Sequence, residues 1–570
     1  MSETPPTGPS LRQRPFDADA ANTLIASGVA PLFARLYAAR GIGRAVDANA
    51  RLADLPSPWS LKGISASCDR LMRAIDGGER IVIVADYDAD GATACAVALR
   101  GLRALGADVG YIVPNRFKFG YGLTPEIVAV AAERHPALIV TVDNGIASTD
   151  GVASARARGI DVLITDHHLP GPALPETDTI VNPNQPGCAF PSKSIAGVGV
   201  LFYVLLALRA KMRERGTYTT SSQPDLTVLL DLVALGTVAD VVPLDSVNRT
   251  LVAAGLRRMR DGCASAGIKA LFDVSKRDPH RATANDLGFM LGPRLNAAGR
   301  LDDIAQGIEC LVTDDDERAA SIALSLDRLN RDRREIESGM RDEADRMIAE
   351  GWDGNKKSIV LSDTSWHQGV VGIVAGRLRE RYHRPSIVFA PGDRGELKGS
   401  GRSIPGFHLR DAIDLVAKRA PGVIRRFGGH AMAAGLTVDA PRLDAFAAAF
   451  EQVACEWLTP EQLEQQIDSD GSLNLAELDF ETVESLHRHV WGQAFPAPLF
   501  DDVFTVMDAR VVAFRHTKLR LKRDGRTFDA IRFGCTETPP QPMRAAYRVS
   551  LSEYQGTQRL ELLVEHWWPT

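Results

Sequence analysis

Short, wholly apolar runs punctuate the first half of the sequence and leave little choice of architecture. Arg80-Ile-Val-Ile-Val-Ala-Asp86 is the first, and similar runs recur at Tyr111 to Val113, Leu138 to Val142 and Val162 to Thr165. A strand with one wet face alternates apolar and polar residues. These do not alternate, so they read as strands buried on both faces, as in a parallel sheet covered by helices. They are spaced by roughly 25 to 30 residues, with helical patterns at 92 to 105 and 124 to 134 between them, which is the rhythm of repeated βα units. A doubly wound α/β domain follows.

A chain of 570 residues cannot bury itself in one core, so several domains are expected. Residues 1 to 60 read as a flexible tail and a helical cap, with Leu24, Val29, Leu32, Phe33 and Leu36 at helical spacing. The α/β domain occupies 61 to 310. From Asp314 to Ile348 the chain is charge-rich and free of proline, so 311 to 352 reads as one long connecting helix. Ser358-Ile-Val-Leu361 and Ser386-Ile-Val-Phe389 open a second α/β unit within 353 to 455, and short alternating strands make 456 to 570 a small β domain.

The net charge of -6 argues against coating nucleic acid through global positive charge, so any basic surface has to be local. Seven cysteines stand far apart with no CxxC pair, which signals neither zinc nor a disulfide framework and suits a reducing cytoplasm. The polar N-terminus lacks the apolar core of a signal peptide, and no run reaches membrane-spanning length. A cytoplasmic protein with no membrane partner is expected.

Several apolar runs end in the same chemistry. Asp86-Tyr-Asp88-Ala-Asp90-Gly91 follows the first, Asp143-Asn144-Gly145 another and Asp166-His167-His168 a third, while Asp240 closes the apolar segment from Leu229. Ligands of open α/β sheets gather at the carboxyl ends of the strands, so the four motifs can share one crevice. Carboxylates so placed repel one another unless cations neutralise them. Oxygen ligands with imidazole and no thiolate favour Mn²⁺ or Mg²⁺, and two ions about 3.5 to 4 Å apart would serve a phosphoryl displacement. Taken singly, each aspartate could equally be a helix cap or turn former.

At this point the sequence resembles the DHH phosphoesterases, on Asp88-x-Asp90, Asp143, Asp166-His167-His168 and Asp240. Within them it is similar to the RecJ exonucleases, on PNRFKFGYGL (114 to 123), VNPNQPGC (181 to 188), GTVADVVPL (236 to 244), GPRLNAAGRL (292 to 301), WHQGVVGIVAGRL (366 to 378), KGSGRS (398 to 403) and GGHAMAAG (428 to 435). The resemblance implies a multidomain α/β protein: a parallel-sheet DHH domain, a long linker helix, a second α/β DHH-associated substrate domain and a C-terminal OB-like β-barrel. It implies Asp86, Asp88, Asp90, Asp143, His167 and Asp240 as metal ligands, with Asp143 and His168 catalytic and His168 facing the scissile phosphate. It further implies hydrolysis of single-stranded DNA from the 5′ end to 5′-mononucleotides in repair and recombination. A single-strand-binding protein and a helicase are the partner proteins expected with that role.

A polyanionic substrate needs further cations. Arg116, Arg294, Arg300 and Arg402 lie in the RecJ-like segments, alongside Asn296. Arg402 and Ser400 are the first choice for a 5′-phosphate pocket, since arginine holds phosphate bidentately and the surrounding Gly399, Gly401 and Ser403 add donors. For Arg294 and Arg300 an ordinary surface role competes, and for His430 a packing or capping role. Lys518, Arg520 and Lys522 alternate with Leu519 and Leu521 before an Asp524-Gly525 turn, with Arg526, Phe528, Arg532 and Phe533 on the return strand. A basic hairpin with aromatics suits a single strand, although an edge strand protected by lysine gives the same pattern. Two other functions stay open: a phosphatase of the same superfamily acting on small oligonucleotides or nucleotides, and a non-catalytic replication scaffold.

Overall fold

The structure is a computed structural model and describes residues 8–48, 51–113, 122–351, 355–392, 395–554 and 557–570. It divides into two compact units, one of Gln13–Asp327 with Ser469–Thr570, the other of Arg328–Asp468 with the residues up to Arg12.

The first unit opens with helices α1 (Ala18–Ala26) and α2 (Pro31–Ala38). Asp17 caps α1 by accepting from the Asp19 and Ala20 amides, and Pro31 starts α2 with its φ already helical. The parallel sheet follows: β1 (Ile81–Ala85), helix α3 (Ala89–Ala104), then β2 (Val109–Ile112), β3 (Leu138–Val142), β4 (Asp161–Thr165) and β5 (Ile180–Val181). Every residue of β1 and β3 is buried, as their lack of alternation required. The strand order is β2-β1-β3-β4-β5. Chain direction across the sheet therefore reverses between β1 and β3, the switch point where doubly wound sheets open their ligand crevice. Ala85 pairs with Val142 and Val142 with Thr165, so the carboxyl ends of β1, β3 and β4 are level. Buried helices α4 (Gly197–Glu214) and α5 (Leu230–Ala239) and the later α6 (Gly292–Leu301) complete the domain.

Helix α7 (Asp316–Gly351) is the long connecting helix. In the second unit come β6 (Ile359–Ser362), α8 (Val371–Tyr382), β7 (Ser386–Pro391), β8 (Glu396–Arg402), α9 (Leu409–Arg419), β9 (Ile424–Gly429), β10 (Ala433–Asp439) and α10 (Leu443–Trp457). Its sheet runs β9-β10-β8-β7-β6, with only β6 and β7 parallel. Phe389, Phe407, Phe446 and Phe450 fill its core.

The chain returns to the first unit as a closed barrel of β11 (Phe500–Val512), β12 (His516–Arg523), β13 (Arg526–Arg532), β14 (Met543–Tyr554) and β15 (Thr557–Pro569), ordered β11-β12-β13-β15-β14. Two expected boundaries are corrected here. Leu32 and Leu36 of α2 share the barrel's apolar core, and Arg40 bonds Asp470 at 2.9 Å with both side chains 1% exposed, so the N-terminal helices are not a separate cap. Nor is the tail featureless: Ser10–Gln13 forms a strand, and the Ser10 amide donates to the Gln465 carbonyl.

Candidate metal centre

The loop after β1 and the helix that follows put three aspartates at the switch point. Asp88 caps α3 by accepting from the Gly91 amide at 3.0 Å. Capping and ligation are compatible, because one carboxylate carries several lone pairs. Asp90 is fully buried, and its oxygens accept from Gly197 N at 2.7 Å and Val198 N at 2.9 Å. The first turn of α4 thus fastens it with amides and a favourable dipole. Crowding demands two glycines: a Cβ on Gly91 would lie 2.5 Å from the Asp86 carbonyl oxygen, and one on Gly197 2.6 Å from Asp143 Oδ1.

Asp143 stands at φ +62°, a conformation uncommon for a residue with a Cβ. Asn144 stabilises that turn, since its Nδ2 donates to the carbonyls of Val84 and Val142 and ties the ends of β1 and β3 together. From β4, His167 Nε2 reaches to 3.1 Å from Asp143 Oδ1 and 3.4 Å from Asp240 Oδ2 at the end of α5. Ligand atoms fall into three groups, each within 4.8 Å: Asp86 with Asp88 and Asp143; Asp143 with His167 and His168; and Asp90 with His167 and Asp240. Because Asp143 and His167 each belong to two groups, the arrangement fits two adjacent ions sharing ligands.

Electrostatics agree. Burial first, then neighbouring carboxylates, pushes Asp90 and Asp240 up to about 7 and Asp86 and Asp143 well above the usual carboxylate range. Burial holds His167 below its ordinary value. His167 Nε2 and Asp240 Oδ2 are buried yet make no hydrogen bond among the described residues. Oxygen and imidazole donors left so, with no thiolate among them, fit hard divalent cations such as Mn²⁺ or Mg²⁺.

His168 is held differently. Burial acts to lower it, but Asp166 Oδ1 lies 2.8 Å from its Nδ1 and raises its pKa to about 9. The same bond keeps Asp166 ionised against its own burial. Any contact His168 makes with substrate must therefore come from Nε2.

In the second unit, Arg402 Nη1 bonds the Gly401 carbonyl at 2.8 Å and Ser400 Oγ at 3.1 Å. Burial pulls its pKa down and Arg379 adds repulsion, while no carboxylate among the described residues pairs with it. A Cβ on Gly372, in the first turn of α8, would lie 2.9 Å from Ser400 Oγ and 3.1 Å from Arg402 Nη2. Glycine there lets the guanidinium and the hydroxyl pack against the first turn of α8, so that both stand beside a helix N-terminus, a combination that attracts phosphate.

Comparison with known proteins agrees with this geometry. Residues 80–237 match the DHH family, N-terminal domain, residues 355–456 the DHHA1 domain and residues 469–566 the RecJ OB domain. The single-stranded-DNA-specific exonuclease RecJ of Dickeya dadantii is 47% identical over 98% of this chain and 99% of its own length, and that of Escherichia coli 44% identical over the same shares. The chain belongs to the RecJ family. A crystal structure of RecJ in complex with Mn²⁺ from Thermus thermophilus has a TM-score of 0.81 at 30% identity, covering 98% of this chain and 79% of that one.

Not every cation expected to serve a RecJ substrate is placed to do so. Arg294 is 6% exposed, and its guanidinium is taken by Asp327 at 2.8 Å and by the Met290 carbonyl, so it fastens α6 to α7. This corrects its reading as a substrate contact. Asn296 Oδ1 accepts from Ala89 N and braces the loop carrying Asp88. Arg300 is half-buried near the end of α6, His430 is exposed in the turn between β9 and β10, and Arg116 lies outside the described residues.

On the RecJ barrel, Lys518, Arg520 and Lys522 point outward while Leu519 and Leu521 are buried. The face is mixed rather than uniformly basic, since Arg520 sits cross-strand from Asp508 and Asp529 and Lys518 from Arg510. Phe528 is 3% exposed and belongs to the core, which removes it as a stacking residue; Phe533 is 61% exposed. Sequence reasoning missed Phe514, fully exposed in the β11–β12 turn, where Ala513 and Phe514 both take positive φ. Val-Ala-Phe-Arg carries no turn-forming residue, so only the surrounding strands give the turn away.

Proposed function

We propose that this chain is a divalent-metal-dependent exonuclease that degrades single-stranded DNA from the 5′ end to 5′-mononucleotides, working in the cytoplasm in repair and recombination. The observation that carries this is the buried sharing of Asp143 and His167 between ligand groups at the switch point, within a chain alignable to RecJ exonucleases over nearly its full length. Divalent cations held there would supply the Lewis acidity that activates water and neutralises charge on the phosphate.

The chain's own groups account for the rest. Asp86, Asp88, Asp90, Asp143, His167 and Asp240 bind and space the ions. His168, braced by Asp166 through Nδ1, donates to the scissile phosphate and stabilises its developing charge. Arg402, Ser400 and the α8 N-terminus take a terminal 5′-phosphate, and the outward cations of the barrel hold the following strand. No described helix is long and apolar enough to cross a membrane. A single-strand-binding protein to present the strand and a helicase to generate it remain the partner classes we assign to this activity.

The test is nucleotide release from 5′-phosphorylated, end-labelled single strands and matching duplexes in Mn²⁺, Mg²⁺ or EDTA, for wild type, Asp143→Ala and His168→Ala. Mononucleotide release from single strands only, abolished by EDTA and by either substitution, is the expected result. Activity confined to dinucleotides or mononucleotides would point to the small-substrate phosphatase, and binding without degradation in every metal to the scaffold.

A further inference from the structure

Large apolar side chains that stand in solvent need a reason, and in the catalytic domain the most exposed of them stand next to the metal motifs in the chain or on an element packed against one. Among the described residues 61–310 the large hydrophobics that stand out are Val130 at 38%, Val228 at 43%, Leu169 and Val241 at 61% and Phe289 at 67%. The three that are more than half exposed all adjoin the metal motifs. Leu169 follows His168 and Val241 follows Asp240 in the chain.

Phe289 arrives by packing. It sits in a π-helical turn, Leu287–Leu291, whose end residues are fully buried. A Cβ on Gly288 would touch Val238 Cγ1 at 3.2 Å, and one on Gly292 would lie 3.0 Å from Ala239 Cβ. The turn is therefore laid against the last turn of α5, the one that ends in Asp240 and brings its Oδ2 to 3.4 Å from His167 Nε2. Isolated π turns in helical segments are uncommon and concentrate at functional sites.

Val241 adds backbone evidence. It takes φ +63°, in a region that branched side chains rarely adopt, at a position following a helix where glycine is usual. Strain of this kind persists when the surroundings hold it in place, and it is more informative beside reacting groups than elsewhere. Glycine would relieve the strain, but it would remove the exposed side chain.

We infer that Phe289, Val241 and Leu169 form an apolar rim against which the terminal nucleobases of the strand pack while their phosphodiester lies at the metal ligands. The inference rests on the exonuclease reading above. Phosphates and ribose edges demand cations and hydrogen-bond donors, whereas a rim of aromatic and aliphatic carbon matches the π faces that every base presents. Contacts of this kind hold a base without reading its identity, as a sequence-independent nuclease requires.

The experiment crosses protein with substrate. Wild type, Phe289→Ala and Val241→Gly are assayed on 5′-phosphorylated single strands that carry either normal nucleotides or abasic sites at the first two positions. Phe289 is exposed, so its truncation opens no cavity, and the Mn²⁺ concentration for half-maximal activity reports whether the metal centre is intact. The expected result is a loss of kcat/KM of about tenfold for Phe289→Ala on the normal strand, in the range of one base-stacking contact. On the abasic strand the loss should shrink to about twofold or less, because the partner is already gone. Equal losses on both strands would make Phe289 a structural residue, and unchanged kinetics would show that the rim meets something other than the substrate; either overturns the inference. Wild type that degrades no single strand at all would instead overturn the exonuclease reading beneath it.

Discussion

Asp166 Oδ1 lies 2.8 Å from His168 Nδ1 and also accepts from the main-chain amides of His167 and His168, while its Oδ2 accepts from Ile146 N. One buried carboxylate thus sets the turn after β4 and the orientation of the imidazole together. It is a positioning residue rather than a ligand, and its removal should be felt through His168.

In metal-free protein the His168 imidazole should titrate with a midpoint near about 9, measured by NMR. The raised value means that the stability contributed by the His168 shift is complete below about 6.5 and is lost as pH rises through about 9, while the lowered Asp166 carboxyl removes its own share as pH falls through its folded value. Asp166→Asn should lower that midpoint and reduce kcat by roughly ten- to a hundredfold, the usual range for groups that orient a metal-site residue. An unchanged midpoint in the variant would separate Asp166 from His168.

The metal-free centre carries a second pH signature. Burial and then neighbouring carboxylates hold Asp90 and Asp240 up at about 7, against about 3.9 in an unfolded chain. The native state therefore binds extra protons between those values, and the stability that comes with them disappears as pH rises through 7. Divalent cations bind the deprotonated carboxylates and reverse the trend. The rise in Tm on adding saturating Mn²⁺ should be larger at pH 8 than at pH 5.5, and Asp240→Asn should flatten the difference. Equal shifts at both pH values would contradict this account of the site.

The sheet and its chemistry were legible because buried parallel strands leave no alternation, and because Asp86 to Asp90, Asp143, His167 and Asp240 each follow an apolar run. The supports were not. Gly197 and the α4 N-terminus that clamp Asp90 lie more than a hundred residues from it, and nothing local in Gly-Val-Gly-Val announces the contact. Arg294 looked like a phosphate ligand because a sequence shows a charge but not its partner, here Asp327 on the next long helix. The N-terminal helices were read as a cap for a similar reason, since apolar spacing in α2 marks a buried face without saying that the barrel buries it.

Arg402 separates recognition of the terminus from chemistry. If its guanidinium and Ser400 Oγ hold a 5′-phosphate, Arg402→Lys should lose the bidentate geometry while keeping charge. The preference in kcat/KM for 5′-phosphorylated over 5′-hydroxyl strands should fall by on the order of tenfold to a hundredfold, the worth of hydrogen bonds to a charged group. A preference that survives Arg402→Lys and Arg402→Ala would place the 5′-phosphate elsewhere.

The barrel offers the last test, and the structure changes how it has to be made. Deleting residues 456–570 would strip Leu32 and Leu36 of their core and leave Arg40 without Asp470, so a truncated chain would report on folding rather than affinity. Point changes on the barrel surface avoid this. Phe514 is fully exposed on the β11–β12 turn, in the loop by which OB folds commonly hold single strands, with Arg510, Arg515 and Lys518 beside it in sequence or across the strands. Phe514→Ala should weaken binding of long oligonucleotides by about tenfold and leave the salt dependence of affinity unchanged, because no phosphate contact is lost. Lys518→Ala combined with Lys522→Ala should weaken binding and make it less salt-dependent, since two counterion-releasing contacts go. Hydrolysis of strands too short to reach the barrel should be untouched by either change. If Phe514→Ala and the lysine pair leave long-strand affinity where it was, the barrel face is not where the strand lies.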